Sequence, residues 1–174
     1  AAGDPMRYFA ATYARTTRAV GEAVAGGAFE DGAWVDRWDV VFADLYLDAV
    51  EAHRRDPASA PWPWRLAFGA RPGLPPLAHV LLGINAHINY DLPQALLAVI
   101  GEADFERPDV LARRERDHRR IDAVLAARVG EEDRELRAWS GPRALRDQVL
   151  TPLNRAASRR FLREAREKVW HNTR

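Results

Sequence analysis

PLAHVLLGINAHINYDLPQALLAVI, residues 76–100, is the stretch that decides how this chain folds. Leu77, Val80, Leu81, Leu82, Ile84 and Ile88 fall around nearly the whole circumference of a helix. A helix that is apolar on most sides belongs inside a protein, covered by other elements. Pro93 removes one backbone donor and predicts a kink or break near that position. The apolar residues are interrupted too often for a membrane-spanning helix, which needs about 18 or more in succession.

Outward from this central helix, apolar residues recur at helical spacing on both sides. Phe9, Tyr13, Thr16, Val20 and Val24 predict a helix over residues 8–26, stopped by Gly26-Gly27. Trp38, Val41, Phe42, Leu45 and Ala49 predict a second over 34–55. Residues 56–76 hold six prolines with Trp62 and Trp64, and read as a long ordered loop stapled onto the core, with a helical turn near 64–69. Beyond residue 101 the pattern predicts a helix over 110–129 capped by Asp109 and a short pair over 136–150 broken at Gly141-Pro142. A last helix is predicted over 153–170. No strand pattern of useful length and no repeat occurs. The expected fold is an all-α, single-domain bundle of five to seven helices over residues 6–174, with 1–5 an appended remnant ahead of Met6.

Composition narrows the chemistry. The chain has 174 residues, 47% hydrophobic and 29% charged, with a net charge of +1. That is enough apolar material for a core and too balanced for a disordered segment. With no cysteine, thiolate metal sites, disulfides and cysteine nucleophiles are excluded. The 26 basic residues are 25 arginines and Lys168, so a Schiff-base lysine has one candidate, close to the chain end. Residues 1–100 carry 11 acidic and 8 basic groups, and 101–174 carry 14 and 18. A nucleic-acid surface would want a larger basic patch with interleaved aromatics than the excess over 155–174 offers, so this stretch reads as a solvated helix face and no nucleic-acid partner is expected. No membrane span and no signal segment is read, and a cytoplasmic location is the expectation.

The central helix also carries His79, Asn85, His87, Asn89, Tyr90 and Asp91. A helix covered on most sides cannot send all of these to solvent, and a buried polar group costs about 1–3 kcal/mol unless it has a partner. His87 and Asp91 are four apart, on one face, with His79 and Gly83 continuing it. Gly83 leaves room beside that face. In ERDHRRID, residues 115–122, His118 occupies the apolar stripe of Leu111, Ile121 and Leu125, and Asp122 follows four residues later. Two helices thus each present His-x-x-x-Asp. Should the faces meet, two imidazoles and two carboxylates converge, a donor set suited to a divalent zinc, manganese or iron ion.

The residues leave three readings open. In the first, His87, Asp91, His118 and Asp122 hold a metal with His79 as further ligand or partner, metal-bound water attacks a small-molecule substrate, and Asn85, Asn89 and Tyr90 orient it. In the second, the same polar groups do metal-free acid–base work on a small hydrophobic molecule, a cyclisation or isomerisation, with a His–Asp pair as base. In the third, the polar core only fixes helix register in a binding module.

The run LLGINAHINYDLPQAL resembles the signature of a mostly bacterial family of domains of unknown function. The likeness extends more weakly over residues 29–50, over DHRRIDAVL and over the closing REAREKVW. The segment from His87 to Gln94 is also similar to the His-x-x-x-Asp-x-x-Gln element of the zinc-dependent phospholipase C and P1 nuclease group. That resemblance implies an all-α phosphoesterase in which His118 and Asp122 supply a second ligand pair. The group's further histidine falls ten residues on, where this chain has Leu97, so a reduced site of one or two metals is implied.

Overall fold

The computed structural model describes residues 4–140 and 151–173. Its elements are α1 (Met6–Ala25), α2 (Gly32–Arg55), α3 (Trp62–Phe68), α4 (Pro76–Ala86), a π turn (His87–Asp91), α5 (Leu92–Val99), α6 (Glu102–Phe105), α7 (Pro108–Ser140) and α8 (Thr151–Thr173). Because α4, the π turn and α5 run on as one rod, and α3 and α6 are short, the architecture is an all-α bundle of seven helical units. The described residues contain no strand, and no helix among them is long and apolar enough to cross a membrane.

Local chemistry explains most boundaries. At the end of α1, Ala28 N–H bonds to Ala23 O and Gly27 N–H to Val24 O, at 3.0 Å each. This is a Schellman closure, and Gly27 takes the positive φ of 72° that it requires. α1 opens with Asp4 Oδ1 accepting from Met6 N–H at 2.9 Å. α2 starts two residues earlier than its apolar stripe suggests, because the Asp31 side chain accepts from Trp34 N–H at 3.0 Å. The Pro-rich stretch contains a full short helix, α3, whose Trp64 enters the core while Trp62 stays outside under Arg65. α7 continues unbroken to Ser140 instead of stopping near 129, and α8 runs through His171 to Thr173. The expected break at Gly141-Pro142 lies outside the described residues.

The disturbance expected near Pro93 takes the form of a π turn just before it, and the helix continues past the proline. The turn before the proline widens, and Leu92 N–H bonds to His87 O, five residues back. Carbonyls near the widened turn gain side-chain donors: Asn89 Nδ2 bonds to Asn85 O at 3.2 Å, and Gln94 Nε2 to Tyr90 O at 2.7 Å. The helix thus runs on through the proline with one turn widened.

Two apolar clusters pack on this rod. One joins Trp34, Val35, Trp38 and Phe42 of α2 to Ile88, Leu92 and Leu96, with Ile121 and Trp170 closing it from α7 and α8. The other gathers Phe9, Tyr46, Ala49, Val50, Trp64 and Ala86. Gly83 is where α1 crosses the rod: a Cβ there would run into the ring of Phe9. The room beside Gly83 is thus filled by Phe9. Gly83→Ala sets a helix-propensity gain of up to about 1 kcal/mol against an overpacking cost of about 1–3 kcal/mol. Net destabilisation is expected, read as a lower urea midpoint with unchanged slope; a raised midpoint would mean that Phe9 yields freely.

Candidate functional site

His87 and Asp91 face each other across the π turn, with His87 Nδ1 2.8 Å from Asp91 Oδ2. Trp64, brought in by α3, donates its Nε1–H to both carboxylate oxygens of Asp91 at 3.1 and 3.0 Å. All three side chains are buried. With the carboxylate accepting from Trp64 and from the imidazole, the proton of a neutral His87 resides on Nδ1. Its Nε2 is buried and has no hydrogen-bond partner among the described residues.

The imidazole lies in an aromatic cage. Phe42 stacks on its face at 3.6 Å and 9° between planes. Tyr13 meets it edge-on at 4.6 Å, and Phe9, Trp64 and Tyr46 stand at 5.9, 6.0 and 6.2 Å. Burial in this cage pushes the His87 pKa below the ordinary histidine value, and the Asp91 hydrogen bond and charge recover only part of the shift. Burial likewise raises the Tyr13 phenol, helped by the Asp39 carboxylate. Asp39 is itself raised to about 6, by burial and then by Asp36.

The second His-x-x-x-Asp is built differently. His118 stacks on Trp38 at 5.4 Å and lies 5.1 Å from Trp170, and its Nε2 has no partner among the described residues. Asp122 is engaged by Arg166, whose Nε donates to Asp122 Oδ1 at 2.8 Å while Nη2 donates to His118 O at 2.9 Å. A charged guanidinium makes a stronger hydrogen bond to a carboxylate than a neutral imidazole does. Burial opposes charge on both members, raising the Asp122 carboxyl and lowering the Arg166 guanidinium. His118 is held well below the ordinary histidine value, first by burial and then by Arg166 and Arg119.

The proposed ligands therefore fall into two separate groups on neighbouring turns of α2, His87 against Phe42 and His118 against Trp38. Among the described residues no group of three or more His, Asp or Glu side chains is placed to hold a metal ion. His79 is buried on α4 beside Tyr8, at 5.8 Å. Asn85, Asn89 and Tyr90 are on the exposed side of the rod, with the two asparagines bonded to each other at 3.0 Å. Helical geometry dictates this: with His87 and Asp91 facing in, positions 85, 89 and 90 turn outward.

Trp64, Tyr13 and Arg166 are site residues that the sequence pattern does not reveal. The clue for Trp64 is a tryptophan in a proline-rich connection. For Arg166 it is a charge on the inward stripe of the last helix, between Ala165 and Val169.

The fold and this geometry define a class: an all-α protein whose central rod carries, at a π turn, a carboxylate-held histidine closed within aromatic rings. The chain belongs to the family of unknown function DUF5995, whose model matches residues 1–174. No curated protein and no solved structure matches it.

Proposed function

We propose that the protein is a metal-free acid–base enzyme acting on a small hydrophobic molecule, with His87 as the base. The observation that carries this reading is the Trp64–Asp91–His87 chain of hydrogen bonds ending in a buried, unpartnered Nε2. A carboxylate on Nδ1 fixes the tautomer, aims the ring and leaves the opposite nitrogen to take a proton. The lowered pKa keeps that nitrogen free near neutral pH. π turns inside α-helices recur at functional sites, and this one holds both members of the pair. Apolar walls suit a proton shift within a hydrocarbon-rich substrate, as in an isomerisation or cyclisation, and exclude water that would compete.

Two measurements test it. Imidazole ¹⁵N shifts should show His87 as the Nδ1-protonated neutral tautomer at pH values where an ordinary histidine has already taken up its second proton. In a screen for isomerase or cyclase turnover, His87→Gln should lose about 10²–10⁴-fold activity with an unchanged melting temperature. Full activity in His87→Gln would overturn the assignment. The metal-dependent phosphoesterase reading rests on the likeness of His87–Gln94 to the zinc-dependent group; there His87 would bind the metal through Nε2, and Asp91 would either stay on Nδ1–H to orient the ring or leave it to become a ligand itself. Elemental analysis of protein purified without added metal separates the two: less than a tenth of an equivalent is expected here, and a full equivalent of zinc, manganese or iron supports the phosphoesterase. A His87→Leu, Asp91→Leu double variant more stable than the parent and equally active would leave only a structural role.

A further inference from the structure

The central rod has one open side. Leu77, Leu81, Asn85, Asn89, Tyr90 and Leu97 are exposed along it, opposite the buried His87, Asp91 and Leu92. Leu81 is 45% exposed and Leu97 57%. Over residues 72–101 the only acidic, basic or imidazole side chains are His79, His87 and Asp91, and all three are buried. The open side of the rod therefore carries no charge, in a chain of which 29% of residues are charged. A helix face turned to water is ordinarily charged or polar. A face without charge that holds large apolar side chains along its whole length marks a contact surface.

We propose that this face pairs with the same face of a second copy of the chain, the two rods lying antiparallel about a two-fold axis at Asn89. Two observations select a second copy. The first is the absence of charge. A two-fold contact sets the same patch against itself, which like charges oppose and an uncharged face permits. The second is the order of residues along the rod, with leucines at both ends and Asn85, Asn89 and Tyr90 between them. Leu81 stands eight residues before Asn89 and Leu97 eight residues after it, about 12 Å along the axis in each direction. Antiparallel pairing therefore sets Leu81 of each copy against Leu97 of the other, and the polar middle against its own image. Asn85 and Asn89 bond each other, and Gln94 bonds Tyr90 O. These bonds use only part of each amide's capacity, and an amide both donates and accepts, so it can bond its own copy. A rod spanning residues 76–99 is about 36 Å long and about 10 Å wide, a footprint of about 400 Å² per copy. That lies at the low end for a specific pair, so the expected affinity is micromolar. The inference makes no use of His87 as a base, because it concerns the opposite side of the rod.

The test combines sedimentation equilibrium with cross-linking of the full chain. Between about 1 and about 500 μM the parent should pass from monomer to dimer. Leu97→Glu puts one charge per copy into the contact, and at about tenfold each the dissociation constant should rise about a hundredfold. Its melting temperature in dilute solution should match the parent's, because Leu97 is exposed. The chain has no cysteine, so an introduced thiol reports the pairing without background. Under mild oxidation Asn89→Cys should cross-link with itself, whereas Leu81→Cys and Leu97→Cys should cross-link only when mixed. Arg37→Cys, exposed on α2, is the control and should stay monomeric. A parent chain still monomeric at the highest concentration overturns the proposal and leaves the face to a different protein. A dimer that Leu97→Glu does not weaken, or Arg37→Cys cross-linking as fast as Asn89→Cys, overturns it equally. Leu81→Cys pairing with itself in preference to Leu97→Cys overturns the antiparallel register. Should Leu97→Glu fail to fold, the cross-links decide alone.

Discussion

Asp117→Ala is expected to lower the free energy of unfolding by about 3–5 kcal/mol, the largest loss for a single truncation outside the aromatic core. Asp117 is fully buried on α7, and beyond a local pair with Arg120 its bonds reach the loop that opens α2. Its two oxygens accept from Glu30 N–H and Asp31 N–H, each at 2.8 Å, and Arg120 Nη1 donates to Oδ1 at the same distance. Asp31 is the residue that caps α2, and Arg114 pairs with its other oxygen. Truncation strands two backbone donors at about 1–3 kcal/mol each and loosens the cap that starts α2. For a chain of this size the melting temperature should fall by roughly 10 °C. Asp117→Asn should recover only part, since its amide presents one acceptor where two are needed. A melting temperature within two degrees of the parent for Asp117→Ala would show that water substitutes for the carboxylate.

The second large effect is a loss of stability in acid, driven by histidines held neutral. His87 and His118 both have folded pKa values below the ordinary one, His118 by far the more. The unfolded chain takes up a proton at each below about pH 6.5, and the folded chain does not. Unfolding is therefore favoured as pH falls, and stability rises with pH through this window. Each such histidine contributes up to about 1.4 kcal/mol per pH unit. The His87 contribution ends once its own lowered pKa is reached, and that of His118 persists further into acid. Asp39 acts in the opposite sense. Its carboxyl, raised to about 6, stays protonated in the folded state where the unfolded chain has released its proton, so it adds stability that is lost as pH rises toward that value. The clean measurement is a difference between proteins: denaturant midpoints of parent and His118→Phe from pH 7.5 to 5. The variant should gain on the parent by about 1.4 kcal/mol per pH unit below 6.5. Parallel curves would mean that His118 titrates freely in the folded protein.

Much of this fold is legible from the 76–100 segment, because a strongly apolar helix must be packed against others, although the rod is less covered than its sequence suggests and leaves Leu77, Leu81 and Leu97 exposed. The His87–Asp91 pair is legible as well: four-residue spacing places both groups on one face, and a proline two residues on marks a backbone that must adjust. His118 and Asp122 have identical spacing and a different outcome. What decides it is Arg166, 44 positions later, whose guanidinium wins the carboxylate. No periodicity within α7 encodes that contest. Asp117 reads as one more solvated acid among the charges of ERDHRRID, since its partners are backbone groups near residue 30. Trp64 hides in a proline-rich connection for a similar reason: its role is set by where α3 docks, and docking is not a local property. Asn85, Asn89 and Tyr90 attract notice as polar residues on an apolar helix, and the face they occupy follows only once the inward direction is known.

The π turn has one more consequence. Positions four apart drift about 40° around an ordinary helix, so a stripe running from His79 through Gly83, His87 and Asp91 to Ala95 would rotate by about 160° in four steps. One widened turn takes back part of that rotation. Such a turn is the mark left when a single residue is inserted into an established helix. The length of residues 87–91 is then itself a structural parameter: it sets the phase between the histidine-bearing half of the rod and the Leu92–Leu96 half that anchors α2 and α8. A one-residue deletion there would leave composition and hydrophobicity nearly untouched, yet swing one half about 100° against the other. Change in this segment is thus easier by substitution than by alteration of its length.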